Sequence, residues 1–309
     1  MNVLPENINA VEEKYKREVI KEYDELIRSN PESADAYYNR GVILTNYGQF
    51  EQAIQDYNEA IRLNPMLADA YINRGWIFHK SGHQEDAIRE YDKAISLEPN
   101  NATAYYNRAI VYDEIAQREK AIHDYDEAIR CNPQFIDAYV NRGWDRAETG
   151  NIEQAIADYN EAIRIDPNTV EAYYNRGIAL CEMQKYKEAL KDFNKAIELS
   201  PMTASSYYNR GYTYCKLRQY QRAIDDFDKA IEIEPQFIEA YVGRGHGYFG
   251  LHRFEKAMSD LDHAIEINPE MASAYLYRAW IHRLMGEDSK AQQNERYARQ
   301  LKSRQETRP

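Results

Sequence analysis

Proline recurs at a fixed interval along most of this 309-residue chain. Eight of the ten prolines follow one another at a spacing of 34 residues, and they are Pro31, Pro65, Pro99, Pro133, Pro167, Pro201, Pro235 and Pro269. A single globular fold gives no reason for such a period, whereas an array of similar structural units does. Eight units of 34 residues fit the chain, and they are 34–67, 68–101, 102–135, 136–169, 170–203, 204–237, 238–271 and 272–305.

Each unit contains two helical patterns, which are clear in the fifth unit. Tyr173 and Gly177 stand at its fourth and eighth places and therefore share one face of a first helix. Ala189, Phe193 and Ala196 form the inward stripe of a second helix. Small residues that face each other let two helix backbones approach closely, and the proline then ends the second helix. The fourth place is Tyr and the twentieth is Ala in all eight units, so each unit is predicted to be a helix pair.

This order of residues resembles the tetratricopeptide repeat (TPR), whose pattern is W-x2-L-G-x2-Y, then A-x3-F, A and P. The departures are Tyr for Trp at the fourth place, Arg for Leu at the seventh, and mixed residues at the eleventh. The resemblance implies an all-α fold, in which antiparallel helix pairs stack into a right-handed superhelical solenoid. It also implies that the first helices line a concave face.

The two ends of the array depart from the repeat. Residues Tyr23 to Pro31 copy the end of a second helix, so residues 1–33 are interpreted as an N-terminal capping half-repeat. Glu295 and Arg299 are polar where other units are apolar, so the eighth unit is predicted to be the C-terminal cap, followed by a tail at 306–309. Six basic and two acidic residues follow from Lys290 onward. They are interpreted as a solvated cap, with an anion-docking tail as the alternative.

Composition restricts the partners of the chain. Lys and Arg number 39 against 51 Asp and Glu, and the net charge of −12 disfavours nucleic acid. No apolar run is long enough for a membrane helix, and the first residues lack the apolar core of a signal peptide. Three cysteines fit a reducing compartment, so a cytoplasmic location without membrane partners is expected.

Three signals imitate catalytic or ligand-binding chemistry. The range Gly245–Gly250 reads G-x-G-x-x-G, but the repeat register places it inside a helix rather than between a strand and a helix. His79 and His83 are four residues apart, but the turn between the two helices lies between them. Cys181 and Cys215 hold equivalent places in neighbouring units, which is too far apart for a disulfide. No catalytic, cofactor or metal site is therefore expected, and the chain is not predicted to be an enzyme.

The sixth place of the unit carries Asn in six consecutive copies, namely Asn39, Asn73, Asn107, Asn141, Asn175 and Asn209. Asparagine is a mediocre helix former, so helix propensity does not explain this repetition. Its amide offers a donor and an acceptor, which can pair with the peptide groups of an extended chain. In TPR proteins this place faces the groove, and some members use such an asparagine ladder. The alternative is that the amides bond to neighbouring loops or helices.

Aromatic residues accompany the asparagines at the fifth and ninth places, and they are Tyr38, Trp76, Tyr106, Trp144, Tyr174, Tyr208, Tyr212 and Trp280. Aromatic side chains that the fold does not require are good interface anchors. The alternative is that they pack between adjacent first helices. Both interpretations are open at this point.

The charged residues predicted to line the groove favour one class of ligand. Acidic residues are Asp113, Glu114, Glu148 and Glu182, and basic residues are Lys80, Lys216 and Arg283. An acidic middle favours a protein or peptide partner with a basic or neutral extended segment. We therefore expect a non-enzymatic protein–protein interaction scaffold that binds such a segment in its concave groove. The alternative is a structural or assembly protein that oligomerises, or docks folded partners, through its convex face and ends.

Arginine holds the seventh place of every unit, at Arg40, Arg74, Arg108, Arg142, Arg176, Arg210, Arg244 and Arg278. An acidic residue holds the twenty-third place in units one to seven, from Asp56 to Asp260. This pattern predicts a repeating ion-pair seam between the two helices. The alternative is that each arginine lays its stem over a tyrosine.

The fourth unit carries Asp145 and Arg146 where other units mostly have Ile, Val, Leu or Tyr. An unpaired charge at a buried place would be costly. Either this pair is satisfied locally and partly exposed, or the middle of the array contains a hinge or a partner contact.

Overall fold

A computed structural model describes the backbone of residues 6–306 and the side chains of residues 16–304. Within that range the chain forms seventeen helices and no strand. A first helix, α1, spans Glu6–Ser29, and eight helix pairs follow it. The first helices of the pairs are α2 Ala34–Asn46, α4 Ala68–Lys80, α6 Ala102–Glu114, α8 Ile136–Glu148, α10 Val170–Glu182, α12 Ala204–Lys216, α14 Ile238–Gly250 and α16 Ala272–Leu284. The second helices are α3 Phe50–Leu63, α5 Gln84–Leu97, α7 Arg118–Cys131, α9 Ile152–Ile165, α11 Tyr186–Leu199, α13 Tyr220–Ile233, α15 Phe254–Ile267 and α17 Asp288–Glu306.

The turn inside each pair is made by a left-handed residue at the fifteenth place. Four of these residues are glycines, Gly48, Gly82, Gly150 and Gly286, with φ between 70° and 82°. The other four are Ala116, Gln184, Arg218 and His252, with φ between 56° and 59°. A left-handed residue ends a helix and reverses the chain within a few residues. Each second helix therefore returns antiparallel to the first.

The core of each pair forms where a ring on the second helix meets a small residue on the first. Tyr57 and Phe193 are both 0% exposed. A Cβ atom added to Gly41 would lie 2.8 Å from the ring of Tyr57, and one added to Gly177 would lie 2.7 Å from the ring of Phe193. Glycine at the eighth place therefore makes room for the ring. Burying each ring contributes about 1.5–3 kcal/mol.

The chain divides into two compact units, one ending at Arg146 and the other beginning at Ala147. In the first unit, α2 contacts α4 and α4 contacts α6, while α3 and α5 pack against the next first helix. In the second unit, α10, α12, α14 and α16 contact one another in order, and each second helix again packs against the next first helix. Second helices of neighbouring repeats make at most marginal contact within either unit. The first helices therefore form the inner layer of each stack.

The predicted fold class, an all-α solenoid of stacked antiparallel helix pairs, is confirmed. The predicted domain limits stay a prediction, and residues 1–5 of the proposed N-terminal cap and 307–309 of the tail lie outside the described residues. Within the described range, no helix has both the length and the apolar character needed to cross a membrane.

The charged pair in the fourth repeat has local partners. Asp145 lies 4.0 Å from Nε of Arg118, and Nη2 of Arg146 lies 3.3 Å from Asp126. The expectation of local ion pairs is therefore confirmed. The expectation of partial exposure is wrong for Asp145, which is only 1% exposed. A carboxylate at such a depth is tolerated because a cation stands beside it.

Candidate functional site

Three of the six sixth-place asparagines bond to the preceding repeat. The side-chain amide of Asn73 donates to the hydroxyl of Tyr38 at 3.2 Å, and that of Asn141 donates to Tyr106 at the same distance. In the second unit, the amide of Asn209 donates to Tyr174 at 2.9 Å. The interpretation that these amides bond to neighbouring helices is therefore confirmed at three positions. Each of them still has an amide oxygen that accepts no hydrogen bond from another described residue.

The other three asparagines, Asn39, Asn107 and Asn175, have no hydrogen-bond partner among the described residues. Asn39 is exposed, and Asn107 and Asn175 are half-buried. The reason is visible in the sequence at Asn107, because the preceding repeat has Ile72 instead of Tyr at its fifth place. These amides keep two donors and one acceptor for another molecule.

The fifth-place tyrosines belong mainly to the core. The ring of Tyr106 lies 4.6 Å from that of Phe135 and 5.9 Å from that of Tyr125, measured between centroids. Tyr208 packs in the same way, at 5.1 Å from Phe237, and burial raises the pKa of its hydroxyl to about 12. The rings of this column therefore support the fold, and only their hydroxyl groups are placed to face a ligand.

The ninth-place aromatics are the exposed ones. Trp144 is 43% exposed, Tyr212 40% and Trp280 46%. Trp76 is half-buried because it meets Phe50 edge-on at 6.0 Å. The sequence groups the fifth and ninth places together, and the structure separates them into packing residues and candidate anchors.

The asparagine row ends at a small cavity of about 170 Å³ in the second unit, lined in part by Tyr208, His246 and Tyr277. Gly243 takes the sixth place here, where a Cβ atom would lie 2.6 Å from the ring of Phe227. His246 stacks on Tyr277 with centroids 5.1 Å apart, and burial lowers its pKa below the usual value. Sequence reasoning missed His246 and Tyr277 as lining residues. The available signal was the loss of Asn at the sixth place.

Several charges predicted to line the groove have local partners. Glu114 lies 2.7 Å from Nε2 of His79, and Asp113 lies 3.8 Å from Nε of Arg118. The ammonium group of Lys216 stands 4.7 Å from the ring centroid of Tyr212. These contacts reduce the charge that a ligand would meet at these positions.

The seventh-place arginines form the predicted ion-pair seam. Arg40 donates from Nε and Nη2 to both carboxylate oxygens of Asp56, at 2.8 and 2.6 Å. Its Nη1 donates at 2.6 Å to Asp24, at the twenty-fifth place before the first repeat. This second contact ties each arginine to the preceding repeat, which sequence reasoning missed. The hydrogen bond to Asp56 holds the pKa of Arg40 above its usual range.

Both interpretations of the arginines are confirmed, because the guanidinium groups also lie over the fourth-place tyrosines. The Arg40 guanidinium carbon is 5.7 Å from the ring centroid of Tyr37. The bidentate arrangement on the twenty-third place recurs at Arg74, Arg108, Arg176, Arg210 and Arg244.

The three imitations of other chemistry have ordinary structural explanations. The range Gly245–Gly250 lies inside α14. Cys181 and Cys215 are free thiols, and Sγ of Cys181 lies 3.2 Å from the hydroxyl of Thr213. Among the described residues, no group of three or more His, Cys, Asp or Glu side chains is arranged to hold a metal ion.

Family comparisons agree with the repeat pattern. Models described as tetratricopeptide repeat match residues 34–67, 102–135, 170–202, 204–237 and 238–271. A further model described as TPR repeat matches residues 75–114 and 146–184. Together these matches cover most of the range 34–271. No curated protein sequence matches the chain significantly.

Solved structures of TPR proteins are similar to this chain. YrrB, described as a TPR protein with an unusual peptide-binding site, is 29% identical, with a TM-score of 0.53 over 60% of this chain and 95% of that one. A tetratricopeptide repeat protein from Parabacteroides merdae is 24% identical, with a TM-score of 0.59 over 76% and 93%. The structure reported with the functional characterisation of Pseudomonas aeruginosa pilF is 21% identical, with a TM-score of 0.61 over 69% and 96%.

The last two similarities establish the fold alone. The repeat pattern, the family models and the stacked helix pairs nevertheless agree over nearly the whole array. Proteins of this kind are generally protein–protein interaction scaffolds without enzymatic activity. This chain belongs to the tetratricopeptide repeat family.

Proposed function

We propose that this protein is a non-enzymatic scaffold that binds an extended polypeptide segment along its first helices. The observation that carries the proposal is the set of amides at Asn39, Asn107 and Asn175, which have no hydrogen-bond partner among the described residues. A polar group with an open donor and acceptor at the same place of three helices suits the peptide groups of another chain. A TPR protein similar in sequence, YrrB, is described as having a peptide-binding site.

The spacing of the repeats supports an extended ligand. First helices of neighbouring repeats pack about 8–10 Å apart, so two repeats advance by roughly 20 Å. An extended chain rises about 3.3 Å per residue, so it covers that distance in roughly six residues. Within the first unit, Asn39 and Asn107 are two repeats apart. Both amides can therefore serve one extended segment.

The exposed ninth-place aromatics supply the apolar part of the proposed surface. Trp144, Tyr212 and Trp280 offer large rings at places that the repeat core does not require. Such rings bury much area with little loss of side-chain freedom. The amides then set the direction and register of the ligand, and the rings contribute most of the affinity.

Charge supports a basic or neutral segment in a cytoplasmic setting. Glu182 at the end of α10 is exposed, and the chain carries a net charge of −12. Acidic segments are repelled by such a surface, and basic ones are attracted at low salt.

The test is affinity capture from the source cell with two variants of the full chain. The first variant replaces the three open amides by alanine, as Asn39→Ala, Asn107→Ala and Asn175→Ala. The matched control replaces two exposed amides on second helices, as Gln55→Ala and Gln154→Ala. We expect the first variant to lose the captured partner at least tenfold and the control to retain it, with both melting like the wild type.

A partner retained equally by both variants would overturn the proposal. The convex face and the ends would then carry the interaction, as in the assembly alternative. Mass measured over a range of concentrations would test that alternative directly, because self-assembly through the ends gives a mass that rises with concentration.

A further inference from the structure

One arginine of the seam lacks the carboxylate that the others have. In the eighth repeat, Asn294 stands at the twenty-third place, where earlier repeats have Asp or Glu. Arg278 keeps only the contact to the preceding repeat, with Nη1 3.0 Å from Asp262. Its Nε atom is covered and has no acceptor among the described residues. The edge of the guanidinium that takes a carboxylate in six other repeats is therefore incomplete here.

Asn294 does not replace the missing acid. Its side-chain nitrogen donates to the backbone oxygen of Lys290 at 2.8 Å, within its own helix α17. The residue is only 8% exposed, so its amide is held in place. A donor that is covered without an acceptor is unfavourable, and a ligand carboxylate on the same guanidinium would relieve this.

A cavity of about 570 Å³ opens beside this guanidinium. Arg278 and Arg296 contribute the two cations of its lining, and no lining residue is acidic. Tyr275 and Tyr297 form one wall, with ring centroids 4.6 Å apart. Arg296 stands at the twenty-fifth place, where every earlier repeat has Asp or Asn. The sign of the charge is thus reversed at both conserved positions of the seam in this last repeat relative to the other seven.

We propose that this cavity is a carboxylate-binding site that takes an acidic segment of a partner protein. Arg278 offers Nη2 from one side, and Arg296 supplies the second cation. The planar guanidinium matches a carboxylate in a two-bond geometry, which Arg278's counterparts already display inside this chain. The site is separate from the asparagine row, so it stands or falls independently of the proposed groove.

The net negative charge of the chain does not prevent this binding. Screening at physiological salt limits the reach of a surface charge to about 8 Å. The charges that decide the affinity are therefore those of α16 and α17. Beyond the cavity lining, the exposed side chains of Lys290, Arg299 and Lys302 on α17 add to the positive potential.

Isothermal titration of the full chain with three blocked peptides tests the site. The probes are N-acetyl tetraglutamate amide, its tetraglutamine counterpart, and N-acetyl tetraalanine with a free terminal carboxylate. We expect saturable binding of at least one carboxylate peptide and none of the tetraglutamine peptide. Binding of tetraglutamate identifies side-chain carboxylates as the ligand, and binding of tetraalanine alone identifies a chain terminus.

The decisive variant is Asn294→Asp, which installs the acid present in the earlier repeats. Its carboxylate should occupy Arg278, raise Tm, and weaken peptide binding at least tenfold. The matched control is Ser303→Asp, which adds the same charge to α17 outside the cavity lining and should leave binding within twofold. Equal weakening by both variants would show only diffuse charge attraction and overturn the site. A lowered Tm for Asn294→Asp, or no binding of either carboxylate peptide, would also overturn it.

Discussion

At the scale of single residues, the repeating arginine links three helices with one side chain. Arg108 donates from Nε and Nη2 to Asp124 in its own repeat and from Nη1 to Asp92 in the preceding one. Asp124 is 1% exposed, so its charge is tolerated only beside this cation. The departure from the usual Leu at this place therefore adds a polar seam without leaving an unpaired buried charge.

Removing one seam arginine should be far more costly than removing the last one. Arg108→Gln leaves the buried Asp124 carboxylate without its cation, and we expect a loss of about 3–5 kcal/mol in unfolding free energy. Arg278→Gln leaves no buried acid, because Asn294 holds the corresponding place, so we expect about 1 kcal/mol. Urea unfolding of both variants measures the difference. Equal losses would show that the seam contributes little.

His246 should make the second unit sensitive to acid. Burial lowers its pKa below 6.5, and Lys216 adds to the shift, while Tyr220 and Tyr277 flank the ring. The unfolded chain takes up this proton near pH 6.5, but the folded chain does so only at lower pH. The stabilising contribution is therefore complete above about pH 6.5 and declines as the pH falls toward the lowered pKa.

Replacing this histidine should remove part of the acid sensitivity. We expect Tm to fall less between about pH 7.5 and 5.5 in His246→Gln than in the wild type, because glutamine takes up no proton. Thermal unfolding followed by circular dichroism at both pH values gives the comparison. An identical fall in the two proteins would mean that the folded state accommodates the charged ring.

At the scale of helices, the sequence predicts the elements better than the turns between them. The alanine at the twentieth place and the ring at the twenty-fourth define the buried stripe of each second helix, because only one face of a helix meets the core. The turns depend on one backbone angle. Ala116 adopts φ of 58° in the same place where Gly48 adopts 70°, and no pattern of side chains distinguishes the two.

Exchanging the residues at this turn should change stability in opposite directions. A left-handed conformation costs an L-residue about 1–2 kcal/mol, so Ala116→Gly should raise the unfolding free energy by roughly 0.5–1 kcal/mol. Gly48→Ala should lower it by about 1 kcal/mol, since nothing lies within 4 Å of the added Cβ atom and only the backbone is affected. Changes of the same sign in the two variants would contradict the account of the turns.

At the scale of the whole molecule, the repeat period is enough to predict the class of fold and the family. The period fixes which residues face each other, and eight agreeing copies remove the ambiguity of any single one. The candidate site is less predictable. Whether an asparagine is open or bonded depends on the fifth place of the preceding repeat, which is Tyr before Asn73 and Ile before Asn107. The cavity at His246 is also a product of packing, because Gly243 lets two helices approach closely.

The central claim is that the open amides of the first helices bind an extended segment. The most direct measurement is the side-chain amide spectrum of ¹⁵N-labelled protein, titrated with the segment that affinity capture identifies. Spectra of the single Asn→Ala and Gln→Ala variants assign the signals. We predict that the side-chain signals of Asn107 and Asn175 shift on binding while those of Gln55 and Gln154 stay in place. Unchanged signals at Asn107 and Asn175, with the ligand bound, would contradict the claim.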